Sequence, residues 1–189
     1  MNNKTSKLAI LSAAIFEIII VMTLQEKLIL SLTAVFGIMI PFLITYLCSM
    51  KKLTLPTNFQ TVMVVFMFLT QYLGEIRNFY DMLWWWDLLP HAIFGSYAVI
   101  TAFSFSNDLF MKSPKITKNR YALFKSLFAS CFSITLGTLW EIFEFSGDYI
   151  FNSKMIKGGI EDTATDLMVN IIFALTTSSV YYFKNKYYK

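Results

Sequence analysis

Charged side chains are scarce in this chain. Of its 189 residues only 15% are Asp, Glu, Lys or Arg, whereas 56% are hydrophobic and the mean hydropathy is +0.55. An ordinary soluble domain carries about 25% charged residues. A soluble core of this size could not enclose so much apolar surface. The composition therefore argues against a cytosolic enzyme, a disordered protein and a secreted disulfide scaffold.

Cysteine and histidine are also rare. Cys48 and Cys131 both lie within apolar runs, so they predict no disulfide framework. His91 is the one histidine, and the sequence contains no HExxH zinc motif, no Gly-rich phosphate loop, no haem motif and no Ser-His-Asp order. Nucleotide hydrolysis and serine hydrolysis are therefore not expected. The net charge of +4 is small for a nucleic-acid-binding protein.

Six apolar runs are long enough, or nearly so, to cross a membrane, which takes about 20 residues. They cover residues 8–24, 28–50, 59–76, 88–106, 122–145 and 163–183. Irregular backbone cannot face lipid, and the runs do not alternate apolar and polar residues as barrel strands would. We therefore expect an all-α polytopic membrane bundle of about six transmembrane helices, forming a single domain over residues 1–189.

The basic residues indicate the orientation of these helices. With the N-terminus inside, twelve of the sixteen Lys and Arg residues fall on inner segments and four on outer ones. The positive-inside rule then predicts that both termini of a cell-membrane protein face the cytoplasm. Basic clusters at membrane edges bind anionic lipid. The expected partner is therefore the bilayer and not a nucleic acid, and a protein partner stays open.

The acidic residues are segregated in the opposite sense. Ten of the twelve lie toward the predicted outer side, whereas Asp108 is on an inner loop and Glu17 lies in the middle of the first span. Orientation does not require this segregation, because acidic residues contribute little to topology. Three groups of polar residues on this side have helical spacing, and each has a structural as well as a functional interpretation.

The first group is Asp87 and His91, which stand at i and i+4 where the fourth run begins. This spacing puts both side chains on one helix face. Asp87 alone is explained as an N-cap residue. An imidazole one turn into a membrane helix, however, usually faces the bundle interior and needs a polar partner.

The second group, Glu141, Glu144 and Asp148, occupies one narrow stripe at the end of the fifth run. Three acids on one face repel each other unless cations, protons or basic groups intervene. Solvation beyond the helix end would explain Asp148. It suits Glu141 poorly, because this residue directly follows a membrane run.

The third group, Asp162, Asp166 and Asn170, occupies successive i+4 positions of the sixth run. A capping box of Thr163 and Asp166 would explain one of the acids. A buried asparagine can instead form hydrogen bonds between helices. Capping does not explain Asn170, which lies two turns into the span.

All three groups are expected at one depth near the outer leaflet, where carboxylates and an imidazole could bind Zn, Mn, Mg or Fe. The candidate ligands of this divalent metal are Asp87, His91, Glu141, Glu144, Asp162 and Asp166. Glu141, Glu144 and His91 are also the candidate catalytic groups, because a metal-bound water could hydrolyse a lipid-linked ester or phosphate. Two alternatives stay open: a transporter or ion pathway that includes Glu17, and an accessory protein that packs against a partner and uses the polar groups for interhelical hydrogen bonds.

The order of these motifs resembles that of a known family. Asp87-x3-His91-x3-Gly95, Trp140-Glu141-x2-Glu144 and Asp162-Thr163-x2-Asp166, followed by Asn170, are similar to motifs of the YjdF-like bacterial inner-membrane proteins. The pattern is more distantly similar to the VanZ-like family, some members of which are linked to glycopeptide resistance. Glu144 stands where VanZ-like proteins usually carry glutamine, which favours the YjdF-like relation. The resemblance covers residues 84–175 and implies a polytopic cell-membrane protein, without supplying a reaction.

Overall fold

The computed structural model describes residues 10–11, 13–16, 18–19, 28–110, 116–151, 155–156 and 158–187. Within these residues all regular secondary structure is helical, which confirms the all-α prediction. Four of the described helices are long and apolar enough to cross a membrane. The chain divides into two compact units, residues 1–86 and 87–189.

The first unit contains α1 (Leu28–Met50), α2 (Phe59–Ile76) and the single turn α3 (Phe79–Met82). The α2 helix changes from α-helical to π-helical geometry at Phe68, and both of its halves pack against α1. The core is aromatic, since the buried Phe16 ring lies edge-on to the Phe68 ring at a centroid distance of 5.2 Å. Among the described residues of this unit, no metal-ligating side chains come together.

The second unit contains α4 (Leu88–Leu109), α5 (Lys118–Phe151) and α6 (Ile160–Tyr187), each packed against the other two. His91 in the first turn of α4 lies 3.6 Å from Glu141, which is toward the end of α5. Near the other end of α4, the Phe103 ring stacks on the Tyr181 ring of α6 at 4.6 Å. The α4 and α6 helices therefore run parallel to each other and antiparallel to α5.

This three-helix bundle buries polar groups and exposes apolar ones. The buried polar residues are His91, Ser106, Ser126, Ser130, Ser133, Glu141, Asp166, Asn170 and Ser178. The outward faces instead carry large apolar side chains, such as Leu127, Met168 and Ile172, each more than half exposed. Soluble proteins show the reverse preference, whereas a bundle in lipid turns its polar side chains to the interior. The burial pattern therefore supports the assignment as a membrane bundle.

Serine hydroxyls join the three helices to one another. Ser133 Oγ on α5 donates a hydrogen bond to the Gly95 carbonyl oxygen on α4 at 2.8 Å. Ser178 Oγ on α6 donates to the Ser126 carbonyl oxygen on α5 at 2.6 Å. Small residues at helix interfaces let membrane helices approach closely, and their hydroxyls form interhelical hydrogen bonds. These bonds fix how each helix is rotated about its axis.

The predicted spans agree with the observed helices to different degrees. The second and third predictions, 28–50 and 59–76, match α1 and α2. The last three helices are longer than predicted, because polar residues continue each of them beyond its apolar run. The described residues of the first span are helical, and Glu17 lies outside the described residues. The count of six spans, the inside position of both termini and the single domain over 1–189 stay predictions.

Asp148 has a local structural role near the end of α5. Its Oδ1 accepts a hydrogen bond from the Met155 backbone N–H at 2.6 Å, and its Oδ2 accepts one from the Ile156 N–H at 3.0 Å. The carboxylate thereby ties the connection between α5 and α6 to the helix. This contact explains why an acid stands at this position without a role in ligand binding.

We expect Asp148→Ala to release the backbone amides of Met155 and Ile156. A hydrogen bond to a charged group contributes about 1.5–3 kcal/mol, so hydrogen exchange at both amides should accelerate by roughly tenfold or more. Glu161→Gln changes an exposed carboxyl group nearby and should leave both rates unchanged. Equal exchange in wild type and Asp148→Ala would show that another contact fixes this segment.

Candidate functional site

One imidazole lies among three carboxylates at the end of the bundle where α4 begins. His91 Nε2 is 3.8 Å from Asp87 Oδ1, 3.6 Å from Glu141 Oε1 and 3.9 Å from Asp166 Oδ2. The α4 helix supplies Asp87 and His91 one turn apart, α5 supplies Glu141, and α6 supplies Asp166. Three helices thus bring together one cluster of side chains of the kinds that bind metal ions.

The spacing within this cluster suits a bound ion better than hydrogen bonds. A hydrogen bond between nitrogen and oxygen takes about 2.7–3.2 Å, so none of the three separations is one. Two ligands of an ion such as Zn²⁺ each lie about 2.1 Å from it, and hence no more than about 4.2 Å from each other. Ligand atoms of Asp87, His91 and Asp166 all lie within 4.8 Å of one another. Small side-chain movements would therefore close these three residues around a cation.

The cluster is buried, and several of its oxygens lack a hydrogen bond. The side chains of His91, Glu141 and Asp166 are only 8%, 4% and 3% exposed. Thr163 approaches Glu141, but neither oxygen of Glu141 forms a hydrogen bond of good geometry with a described residue, and nor does Asp166 Oδ1. Buried carboxylate oxygens without partners are costly. The site therefore requires protons or a cation for charge compensation.

Glu144 and Asp162 extend the negative field around the cluster. Glu144 lies one turn beyond Glu141 on α5, is partly buried, and experiences the charges of Glu141 and Asp166. Asp162 lies one turn before Asp166 on α6 and acts electrostatically on the same two carboxylates. Of the six predicted ligand candidates, the structure therefore brings Asp87, Glu141 and Asp166 within ion-pair distance of the His91 imidazole. The other two acids lie one helical turn from Glu141 and Asp166.

The layer one turn below the cluster consists of Gly95, Gly137 and Asn170, one residue from each helix. Asn170 is fully buried. A Cβ atom at Gly95 would lie 2.7 Å from the Asn170 backbone oxygen, and one at Gly137 would lie 2.7 Å from its side-chain amide. The two glycines therefore let the helices close around Asn170. Among the described residues, neither atom of its amide group has a hydrogen-bond partner.

Apolar packing closes the bundle beneath this layer. Val99, Ala102, Ala129 and Ala174 have no exposed surface, and they form one buried cluster with Phe103. Ser133, which is also buried, uses its hydroxyl in the hydrogen bond to α4. The carboxylate–imidazole cluster therefore lies at one end of the unit, with buried apolar packing between it and the other end.

Two structural explanations for these acids are wrong. Asp87 stands at the N-cap position of α4, but its carboxylate makes no hydrogen bond to the described amides of the first turn. The α6 helix begins at Ile160, and the Thr163 N–H already bonds to the Gly159 carbonyl oxygen at 3.2 Å. A capping box that starts at Thr163 is therefore excluded. Asp87 and Asp166 instead place carboxylate oxygens 3.8 and 3.9 Å from His91 Nε2.

Sequence reasoning did not identify the packing residues that support the cluster. Gly137 and the two interhelical serines, Ser133 and Ser178, carry no ligand chemistry and escaped notice. The sequence does contain a signal for Gly137, because this residue precedes Glu141 by four positions just as Gly95 follows His91 by four. This shared spacing indicates two stacked layers rather than one isolated cluster.

The fold and the site define a polytopic membrane protein with a buried carboxylate–imidazole cluster. Residues 6–187 match the family described as predicted membrane protein DUF2238, and the chain belongs to this family. It is 33% identical over 117 residues to an uncharacterized protein of Thermotoga maritima; the match covers 62% of this chain and 58% of that protein, less than two thirds of its length. No solved structure matches the chain. The YjdF-like resemblance is consistent with this family, whereas the VanZ-like relation stays a prediction.

Proposed function

We propose that the second unit binds a divalent cation between Asp87, His91 and Asp166, with Glu141 beside it. The observation that carries the proposal is that buried carboxylate oxygens lie near His91 without hydrogen-bond partners among the described residues. Glu141 and Asp166 direct oxygens to within 3.6 and 3.9 Å of His91 Nε2, yet hold further oxygens without hydrogen bonds among the described residues. One imidazole with carboxylates is a ligand set for Zn²⁺, Mn²⁺ or Fe²⁺. A divalent cation would supply the positive charge that this buried cluster requires.

The proposed cation would serve hydrolysis of an ester or phosphate bond in a lipid or envelope precursor. The cation would activate water as a nucleophile at neutral pH. Glu141 would accept the proton that this water loses when it attacks the carbonyl carbon or phosphorus. Glu144 or Glu141 would return a proton to the alcohol that leaves as the ester or phosphate bond breaks. This is the enzymatic part of the proposal.

The position of the cluster favours an amphiphilic substrate. His91 lies in the first turn of α4, and Asp166 lies in the second turn of α6. Trp140 is partly exposed on α5 directly before Glu141, and tryptophan is enriched at membrane–water interfaces. A lipid headgroup at this depth would reach the cluster while its chains stay in the bilayer. The predicted orientation puts this end at the outer face of a cell membrane.

An ion pathway through this unit is less well supported. Such a pathway would have to pass the buried apolar cluster that includes Val99, Ala129 and Ala174. Glu17, which the same hypothesis requires, lies outside the described residues. A site backed by buried apolar packing fits a cofactor or a bound reactant better than a permeating ion.

Elemental analysis of the purified protein tests the cation proposal. We expect wild-type protein, loaded with Zn²⁺ or Mn²⁺ and then dialysed, to retain about one equivalent or more. His91→Ala should retain less than about a tenth of that amount, because it removes the central ligand. Asp108→Asn is the matched control on the same helix, far from the cluster, and should retain as much metal as the wild type. Wild-type protein without stoichiometric metal would overturn the proposal.

A further inference from the structure

We infer that the cluster holds two divalent cations, with Glu141 and Asp166 as the carboxylates that bridge them. This inference rests on the proposed function and extends it from one cation to a pair. The second cation would lie on the side of the cluster toward Glu144 and Asp162. Since its ligands are all oxygens, it would favour a hard ion such as Mn²⁺ or Mg²⁺.

The bridging role follows from the two oxygens of each carboxylate. Glu141 faces His91 with Oε1 and Asp166 faces it with Oδ2, at 3.6 and 3.9 Å from Nε2. The opposite oxygens, Glu141 Oε2 and Asp166 Oδ1, are buried and form no hydrogen bond with a described residue. Each carboxylate therefore presents one oxygen to the first site and keeps a second oxygen for another electrophile. A carboxylate that bridges two metals uses one oxygen for each. With both cations bound, Glu141 would therefore be a ligand only, and Glu144, which as a terminal ligand keeps one oxygen free, would take over the proton transfer.

We assign the terminal ligands of the second cation to two further acids on the same two helices. Glu144 is one helical turn from Glu141, and Asp162 is one turn from Asp166, so each bridging residue has an acidic neighbour on its own helix. Electrostatic interaction links Glu144 to both bridging carboxylates, and the same holds for Asp162. The Trp140 side chain approaches Glu144, where its indole N–H would orient the carboxylate toward a bound ion.

The balance of charge supports the same stoichiometry. The six candidate ligands are five carboxyl groups and one imidazole. One divalent cation would leave a charge of about −3 on the ionised cluster in a low-dielectric setting, whereas two would leave about −1. Exposed acids would not need this compensation, but Glu141 and Asp166 are almost completely buried. A second cation therefore removes most of the remaining repulsion.

A pair of cations would also define the substrate class more narrowly. Two metals about 3.5–4 Å apart stabilise the attacking and leaving oxygens of an in-line displacement at phosphorus. Of the two bond types considered for the hydrolysis, the pair favours a phosphate ester over a carboxylic ester. The substrate class would then be a lipid that bears a phosphate or diphosphate group.

Manganese titration followed by electron paramagnetic resonance tests the pair. The wild-type protein would be placed in nanodiscs of zwitterionic lipid, which avoids binding of Mn²⁺ to anionic headgroups. We expect about two Mn²⁺ per chain and the broadened spectrum of exchange-coupled ions. Glu144→Gln and Asp162→Asn should each bind about one Mn²⁺ and show an uncoupled spectrum. Glu161→Gln, the exposed neighbour of Asp162, should still bind two.

The possible results separate the two proposals. One Mn²⁺ per wild-type chain, lost in His91→Ala, would overturn the pair and leave the single-cation site intact. Two Mn²⁺ without exchange coupling would also overturn the pair, because they would occupy separate sites. No bound Mn²⁺ and no bound Zn²⁺ in the wild type would overturn both proposals. Circular dichroism of every variant identifies any that fails to fold. If either Glu144→Gln or Asp162→Asn fails to fold, the Mn²⁺ stoichiometry of the other variant tests the pair.

Discussion

Without added cation, we expect Glu141→Gln to unfold at a higher temperature than the wild type. The substitution keeps the size of the side chain but removes one ionisable group from a buried set of acids. Glu141 is 4% exposed, and its carboxylate has no hydrogen bond of good geometry with a described residue. Removal of this buried, unpaired carboxylate should stabilise the cation-free protein by about 1–2 kcal/mol. Thermal unfolding in chelator, followed by tryptophan fluorescence, measures the change.

With cation present, the order of stability should reverse. A ligand at 100 times its dissociation constant stabilises the folded state by about 2.7 kcal/mol. The wild type should gain this stabilisation from Mn²⁺. Glu141→Gln should lose most of it, because the amide is a weaker ligand and cannot bridge two ions as a carboxylate does. The substitution therefore has effects of opposite sign in chelator and in Mn²⁺, which a purely structural role of Glu141 would not produce.

The control for this experiment is again Glu161→Gln. It makes the same chemical change at an exposed position of α6, so both unfolding temperatures should stay at their wild-type values. If Glu141→Gln lowers stability in chelator and in Mn²⁺ by equal amounts, the carboxylate is a packing group. The proposed cation site would then lose its strongest support.

The membrane bundle follows from hydropathy because lipid permits few backbone structures. Apolar runs without alternation must be helices, so α1 and α2 could be predicted to the residue. The ends of the later helices could not. Polar residues that are compatible with a helix extend α5 and α6 beyond their apolar runs, namely Lys118 to Arg120 and Glu161 to Asp162. Hydropathy therefore measures the thickness of the apolar layer and not the length of the helix.

The candidate site could be predicted only in part, for a related reason. Spacing of four residues puts Asp87 with His91, and Asp166 with Asn170, on common faces of their helices. It does not tell which faces meet, because that depends on the rotation of each helix about its axis. The rotation is determined by close packing between helices and by bonds such as that from Ser133 Oγ to the Gly95 carbonyl oxygen. Those contacts join residues far apart in sequence, and a single chain contains no direct signal for them.

The same packing yields a second large effect at Gly95. We expect Gly95→Ala to destabilise the protein, although alanine is the better helix former by about 1 kcal/mol. The new Cβ would lie 2.7 Å from the Asn170 backbone oxygen and 3.2 Å from its Cα. Backbone atoms cannot rotate away, so α4 and α6 must separate, at an overpacking cost of about 1–3 kcal/mol. His91 lies one turn from this contact, so cation affinity should also fall by roughly tenfold.

Gly137→Ala provides the matched comparison, because its new Cβ would meet the side chain of Asn170 and not the backbone. The three amide atoms would lie 2.7–2.8 Å from it. Asn170→Ala removes these atoms and should therefore rescue Gly137→Ala, whereas it should not rescue Gly95→Ala. A double-mutant cycle on unfolding temperature and Mn²⁺ affinity measures both couplings. Asn170→Ala could instead rescue both glycine variants equally, or neither of them. Either result would show that Asn170 does not contact α4 through its backbone and α5 through its side chain. The layer of Gly95, Gly137 and Asn170 would then not set the distances between the ligands of the cluster.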